Sequence, residues 1–273
     1  MDTFFDIVNE AVEDLATHGY DSVERVAAWE RKIRDAAATQ MKPEHVMEQM
    51  LRDAMTAVYR RMVEKGQIVR YHPDVARYTI DKVRHQLRAE LDRRILASAN
   101  LIKLNRQEAI NKTLQRFSGW STSIPRGGVS GESGAKARKD IKKSLRSLPF
   151  VERRVLIDQG HKLTASLNNI VAVDGGAIAL MWRSNWRQAG YNYREDHKER
   201  DGQVYLIRDN WAQQKGFVKA GPDGYYDQIT AVAEEPYCRC YAVYIYALGK
   251  MPRAMLTKKG EAVLTDARRE MAA

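Results

Sequence analysis

The sequence predicts an α+β protein: a predominantly helical N-terminal region, then a smaller α+β C-terminal module with a short β-sheet. Three observations carry this. Apolar residues recur at helical spacing through the first 117 residues. A stretch rich in Gly and Ser then erases the period. A dense period-2 run of Tyr, Val and Ile comes only near the end, in CRCYAVYIYAL.

In DTFFDIVNEAVEDLA, Phe4, Ile7, Val8, Ala11, Val12 and Leu15 form one apolar stripe, ended by His18-Gly19. A second helix fits Ser22 to about Ala38. A third has Pro43 in its first turn, carries Val46, Met47, Met50, Leu51, Met55 and Val58, and stops at Gly66. A fourth starts after His72-Pro73 and runs through Val83, Leu87, Leu91 and Ile95. Asn105 and Glu108 make a capping-box pattern that opens a fifth. SGWSTSIPRGGVSGESG, 118–134, has the composition of a flexible linker or long loop. Helical spacing resumes and ends at Gly175-Gly176, after which AIALMWRSNW, QVYLI and CRCYAVYIYAL read as strands. The predicted organisation is a helical region 1–117, a linker 118–134, an α+β module 135–250 and a basic tail 251–273 with one short helix.

A chain of 273 residues, 44% hydrophobic and 29% charged, is long enough for a full core. Its net charge of +10 suits an acidic partner, nucleic acid or an acidic protein surface, and equally suits a well-solvated surface. No apolar run approaches the roughly 18 residues a membrane span requires. The N-terminus is acidic and amphipathic, unlike a secretory signal. Two cysteines do not make a disulfide scaffold, so folding in a reducing cytosol is expected. P-loop, GxGxxG, HExxH and GxSxG signatures are absent.

Between Lys136 and Arg154 stand eight Lys or Arg and two acids. A helix here, with Ile141, Leu145 and Leu148 on its apolar side, would turn Lys136, Arg138, Lys139, Lys142, Lys143 and Arg146 outward, a face that can lie along phosphates. Cys238 and Cys240 are the only cysteines. On a strand, residues i and i+2 point to one side, which would present both sulfurs to one site. Two thiolates and an imidazole are a natural zinc set, and His197, in the polar segment REDHKERDG, is the best third ligand. Asp196, Asp201, His161 or water would complete it, with Asp201 the choice among side chains. The same histidine among carboxylates would also suit a general base in a metal-dependent nuclease, but no catalytic signature accompanies it.

Trp182 to Trp186 with Gly190, then Arg194, Asp196, His197, Asp201 and Gly202, then a turn-rich loop and Cys238-Arg239-Cys240 before a strand, together resemble the phage head-morphogenesis proteins, the Mu F-like minor head proteins. The resemblance covers roughly residues 150 to 248. It departs from the family in the loop before the cysteines, which holds only two prolines. The resemblance implies a non-enzymatic minor capsid protein, present in few copies, several per virion among the options. It would be assembled in the host cytoplasm and placed in the capsid interior or at the portal vertex. Its expected partners are the portal protein, the major capsid protein and packaged double-stranded DNA. The alternatives are a nucleic-acid-binding protein using 136–154 and a metal-dependent nuclease or toxin-like transferase.

Overall fold

The computed structural model describes residues 3–125 and 128–272. They form α1 (Phe4–His18), α2 (Val23–Gln40), α3 (Glu44–Tyr59), α4 (Arg77–Lys82), α5 (Arg84–Ser121), α6 (Gly131–Asp174), β1 (Ala179–Arg183), α7 (Glu195–Glu199), β2 (Val204–Leu206), α8 (Trp211–Gln214), β3 (Tyr241–Ile245) and α9 (Lys258–Ala272). The predicted α+β class is the observed one.

The chain divides into two compact units, Met1–Asp53 with Leu96–Ile157, and Ala54–Ile95 with Asp158–Ala273. These units cut across the expected boundaries because the chain passes between them inside α3, α5 and α6, not in a linker. The linker expected over 118–134 shrinks accordingly. Residues 118–121 close α5 and 131–134 open α6, where Ser130 Oγ accepts from the Ser133 amide as a cap. The intervening 122–130 includes Arg126 and Gly127, which lie outside the described residues. Its Val129 amide donates to Ala16 O. The fourth and fifth predicted helices also differ from expectation. Val83 separates α4 from α5, and α5 then runs through Asn105 unbroken. With no Gly or Pro between 84 and 118, an internal Asn-x-x-Glu does not end a helix whose buried stripe (Leu87, Leu91, Ile95, Ile102, Ala109) continues past it.

In the first unit, α1 starts at a capping box between Thr3 and Asp6. Its stripe of Phe4, Val8, Ala11, Val12 and Leu15 buries against Ile33 and Ala37 of α2, Phe117 of α5, and Ile141 and Leu145 of α6. In the second unit the sheet is antiparallel in the order β2-β1-β3. Alternation along the strands gives it two apolar faces. Ala179, Val204, Leu206 and Ile245 pack with Leu248, Met251 and Met255, while Leu180, Trp182, Tyr205 and Tyr244 pack with Ala172 of α6 and the two cysteines. His72 is fully buried in this unit, its ring nitrogens engaging the Tyr246 hydroxyl at 2.6 Å and Asn168 Oδ1 at 3.1 Å.

Candidate metal centre

The cysteines do not lie on a strand. β3 begins at Tyr241, and Cys238 closes a turn in which its amide donates to Glu235 O. Tyr237 holds the turn in the left-handed region at φ 61°, its amide donating to the buried Asp158 carboxylate at 2.6 Å. An αL tyrosine costs about 1 kcal/mol or more, so the bond to Asp158 helps hold the bend. Between the sulfurs the backbone is pinned from outside. The Arg239 amide donates to the Tyr191 hydroxyl at 3.1 Å, and Asn185 Nδ2 donates to Arg239 O at 2.8 Å. Both cysteine side chains are thereby turned inward while Arg239 faces out over the Tyr191 ring. The convergence expected from strand geometry is present, but a pinned turn produces it.

His197 projects from α7, a helix of a little over one turn. It is 1% exposed, packed edge-on against the buried Trp182 with ring centroids 5.2 Å apart. Cys238 Sγ and Cys240 Sγ each lie 3.5 Å from its Nδ1. His197, Cys238 and Cys240 thus form a group that could hold a metal ion, with donor atoms all within 4.8 Å of one another. The far nitrogen, Nε2, is buried without a hydrogen bond, 3.8 Å from Asp196 Oδ2 and 3.8 Å from Glu235 Oε1. Those carboxylates are held in turn by Arg200, which donates to Asp196 at 3.0 Å, and by Arg194, which pairs with Glu235.

A hydrogen bond between the two thiols drives their acidities apart. Cys238 is pushed down, to about 5, chiefly by the hydrogen bond from the Cys240 thiol, with the nearby imidazole adding a smaller pull. Cys240 is pushed up by that same bond and by burial, against which Ser184 and Trp182 favour its thiolate. Cys238 is therefore the thiol of the pair more readily deprotonated, the form in which cysteine ligates metal.

Asp201 does not join this group. Its carboxylate accepts from the Ser184 amide at 3.0 Å and the Trp186 indole at 3.2 Å, with Arg183 at 3.8 Å, and these contacts hold its pKa below the ordinary aspartate value despite partial burial. It fastens the chain after β1 to the turn after α7. Asp196 lies on the Nε2 side of the imidazole, away from the sulfurs. His161 shares a cavity wall with the cysteines but is not among the clustered donors. No fourth protein donor completes the set among the described residues. Glu235 was the residue that sequence reasoning missed; its signal is the turn pattern Glu-Pro three residues before Cys238.

The basic segment is helical as expected, in the first part of α6, and Lys136, Lys139, Lys143 and Arg146 are exposed, with Arg138 half-buried. Lys142 is not part of that face. It is buried, donates to Asn9 Oδ1 at 2.6 Å and sits over the Phe5 ring, and burial lowers its pKa.

Comparison with protein-family models, with curated proteins and with solved structures gives no match. No helix among the described residues is long and apolar enough to cross a membrane.

Proposed function

We propose that this chain is a structural assembly protein of the minor head kind its motifs resemble, and that zinc on His197, Cys238 and Cys240 fastens its C-terminal module. One observation carries the zinc assignment, the 3.5 Å from Nδ1 to each sulfur. Tetrahedral zinc with bonds of about 2.3 Å to sulfur and 2.0–2.1 Å to nitrogen sets N and S about 3.5 Å apart. Nitrogen–sulfur distances of that size between buried groups match the separation the ion would set. The Asp196 and Glu235 carboxylates lie 3.8 Å from Nε2, on the side of the ring where a ligating imidazole usually has its outer partner, though without a hydrogen bond to it in this arrangement.

When bound, zinc would tie α7 to the turn before β3 and contribute folding free energy to a sheet of only three short strands. The three ligands are buried and are tied up by their neighbours, which suits a staple better than turnover. The motif residues behave alike: Asp201 and Arg194 tie loops together, and Trp182 packs under His197. On this reading the protein works inside the capsid or at the portal vertex, against portal and major capsid subunits.

Metal analysis of the purified chain tests the staple. About one zinc per chain is expected, falling with Cys238→Ser/Cys240→Ser together with lowered thermal stability. Less than about 0.2 zinc per chain sinks the metal assignment. The assembly role is tested separately by co-expression with portal and major capsid subunits. Failure to associate with either removes it, whatever the metal content.

A second reading has its own observation, the exposed row Lys136, Lys139, Lys143 and Arg146 on α6. It supports contact with packaged double-stranded DNA, and such contact is compatible with an assembly role.

A further inference from the structure

β3 is an edge strand: β1 pairs with it on one side, and among the described residues no strand or bridge lies on the other. The direction of its peptide groups follows from β1. Trp182 gives both its N–H and its C=O to the β2 side, bonding Gln203 O at 2.9 Å and the Gly202 amide at 2.8 Å. Antiparallel alternation then assigns Tyr241, Val243 and Ile245 to the ladder with β1, which leaves the peptide groups of Ala242 and Tyr244 facing outward. Among the described residues, neither residue's backbone has a hydrogen-bond partner.

Two features flank this edge. On one face, Tyr241 and Val243, two residues apart on β3, are 49% and 47% exposed, beside Arg183 and Met181 of β1. On the other face a cavity of about 730 Å³ reaches from Ala242 and Tyr244 to α6. Its polar lining includes His161, Asn168, Gln188, Arg239 and both cysteines, and among the described residues no Asp or Glu takes part.

We propose that the outer edge of β3 is a docking site for an extended segment of a partner protein, in which apolar residues alternate with acidic ones. Its backbone would pair with Ala242 and Tyr244. Its apolar side chains would lie beside Tyr241 and Val243, and the alternate ones would enter the cavity. The acid-free lining with Arg239 and His161, in a chain of net charge +10, selects carboxylates for that cavity. A second copy of this chain fits less well. Its β3 would bring Ala242 and Tyr244 to the cavity, and Tyr244 is already buried in its own module.

The cavity shares Cys238, Arg239 and Cys240 with the proposed metal centre, but the test reads the edge of β3 and not the metal. The probe is a fluorescently labelled, acetylated and amidated peptide of alternating Val and Glu, titrated into the full chain, with a Val and Lys peptide as control. Binding of the acidic peptide is expected, with slowed hydrogen exchange at the Ala242 and Tyr244 amides. Ala242→Pro removes the outward N–H at a position where an edge strand tolerates proline, and should weaken binding about tenfold with circular dichroism and melting temperature unchanged. Val243→Thr, which keeps the strand and reduces the apolar contact, should weaken it less. The proposal fails if the acidic peptide shows no binding at about 1 mM. It also fails if binding leaves those two amides unprotected, or if the lysine peptide binds as well. Protection of the same amides on self-association without peptide would give the edge to a second copy and overturn the partner assignment.

Discussion

Acid should weaken the second unit through one residue, His72. Asn168 Oδ1 accepts from its Nε2–H, and the Tyr246 hydroxyl donates to Nδ1, so both partners suit the neutral ring. Burial pushes the imidazole down from 6.5 to about 4, with the Asn168 bond pulling weakly the other way. The unfolded chain takes up a proton near pH 6.5 and the folded chain only near pH 4. Between these values the unfolded state binds more protons, so stability is constant above the window, falls as pH drops through it and levels off below about pH 4. Integration gives a loss of about 2 kcal/mol between pH 7 and pH 5 and about 3 kcal/mol by pH 4. The assay is hydrogen exchange of the β1 amides in the full chain, which reports opening of the unit that holds His72. His72→Gln should be less stable than the parent at pH 7, yet lose about 2 kcal/mol less on going to pH 5. Equal pH slopes for parent and variant would refute the reasoning, as would an NMR titration of the His72 ring centred near its unperturbed value.

The remaining predictions concern other contacts. On the proposed zinc assignment, Glu235→Gln should lower zinc affinity by about tenfold or more in chelator competition while the fold survives, because it removes a carboxylate from the far side of the His197 ring; unchanged affinity would show that Glu235 does not orient His197. Arg106 and Glu152, 12% and 11% exposed and 2.6 Å apart, form a mostly buried pair. Arg106→Met alone should cost about 3–5 kcal/mol in urea unfolding, and Arg106→Met/Glu152→Leu should recover most of it. Gly260→Ala would set a Cβ 2.2 Å from Phe217 O, so the docking of α9 should loosen and its amides exchange faster. Lys139→Gln/Lys143→Gln should weaken DNA binding and flatten its salt dependence, whereas Lys142→Met should leave both unchanged and lower the melting temperature.

What the sequence discloses here is local. The stripe of α1, the alternation of β1 and β3 and the basic helix all follow from spacing within a few residues, because side-chain period follows backbone geometry. The joining of two predicted helices into α5 was hidden by Asn105 and Glu108, since a capping pattern is indistinguishable in sequence from an ordinary helical pair until the next turns are seen to stay buried. The meeting of His197 with Cys238 across more than forty residues was legible from donor chemistry, but its cause, the αL bend at Tyr237 fixed by Asp158 on α6, was not. Lys142 and Asp201 were misplaced for a shared reason. Each is a charged residue satisfied by a distant partner, Asn9 in one case and Ser184 with Trp186 in the other, and helical or turn spacing says nothing about such partners.

Cys240 is followed immediately by Tyr241, the first residue of β3, so the sulfurs and the strand register are one geometric quantity. A slip of β3 by one residue would turn Tyr244 out of the core and carry Cys240 off His197. The trio therefore acts as a gauge of folding fidelity. Only a chain whose last strand has paired in frame closes two sulfurs and a nitrogen around one point. A misregistered chain exposes two free thiols, which an alkylating reagent can count.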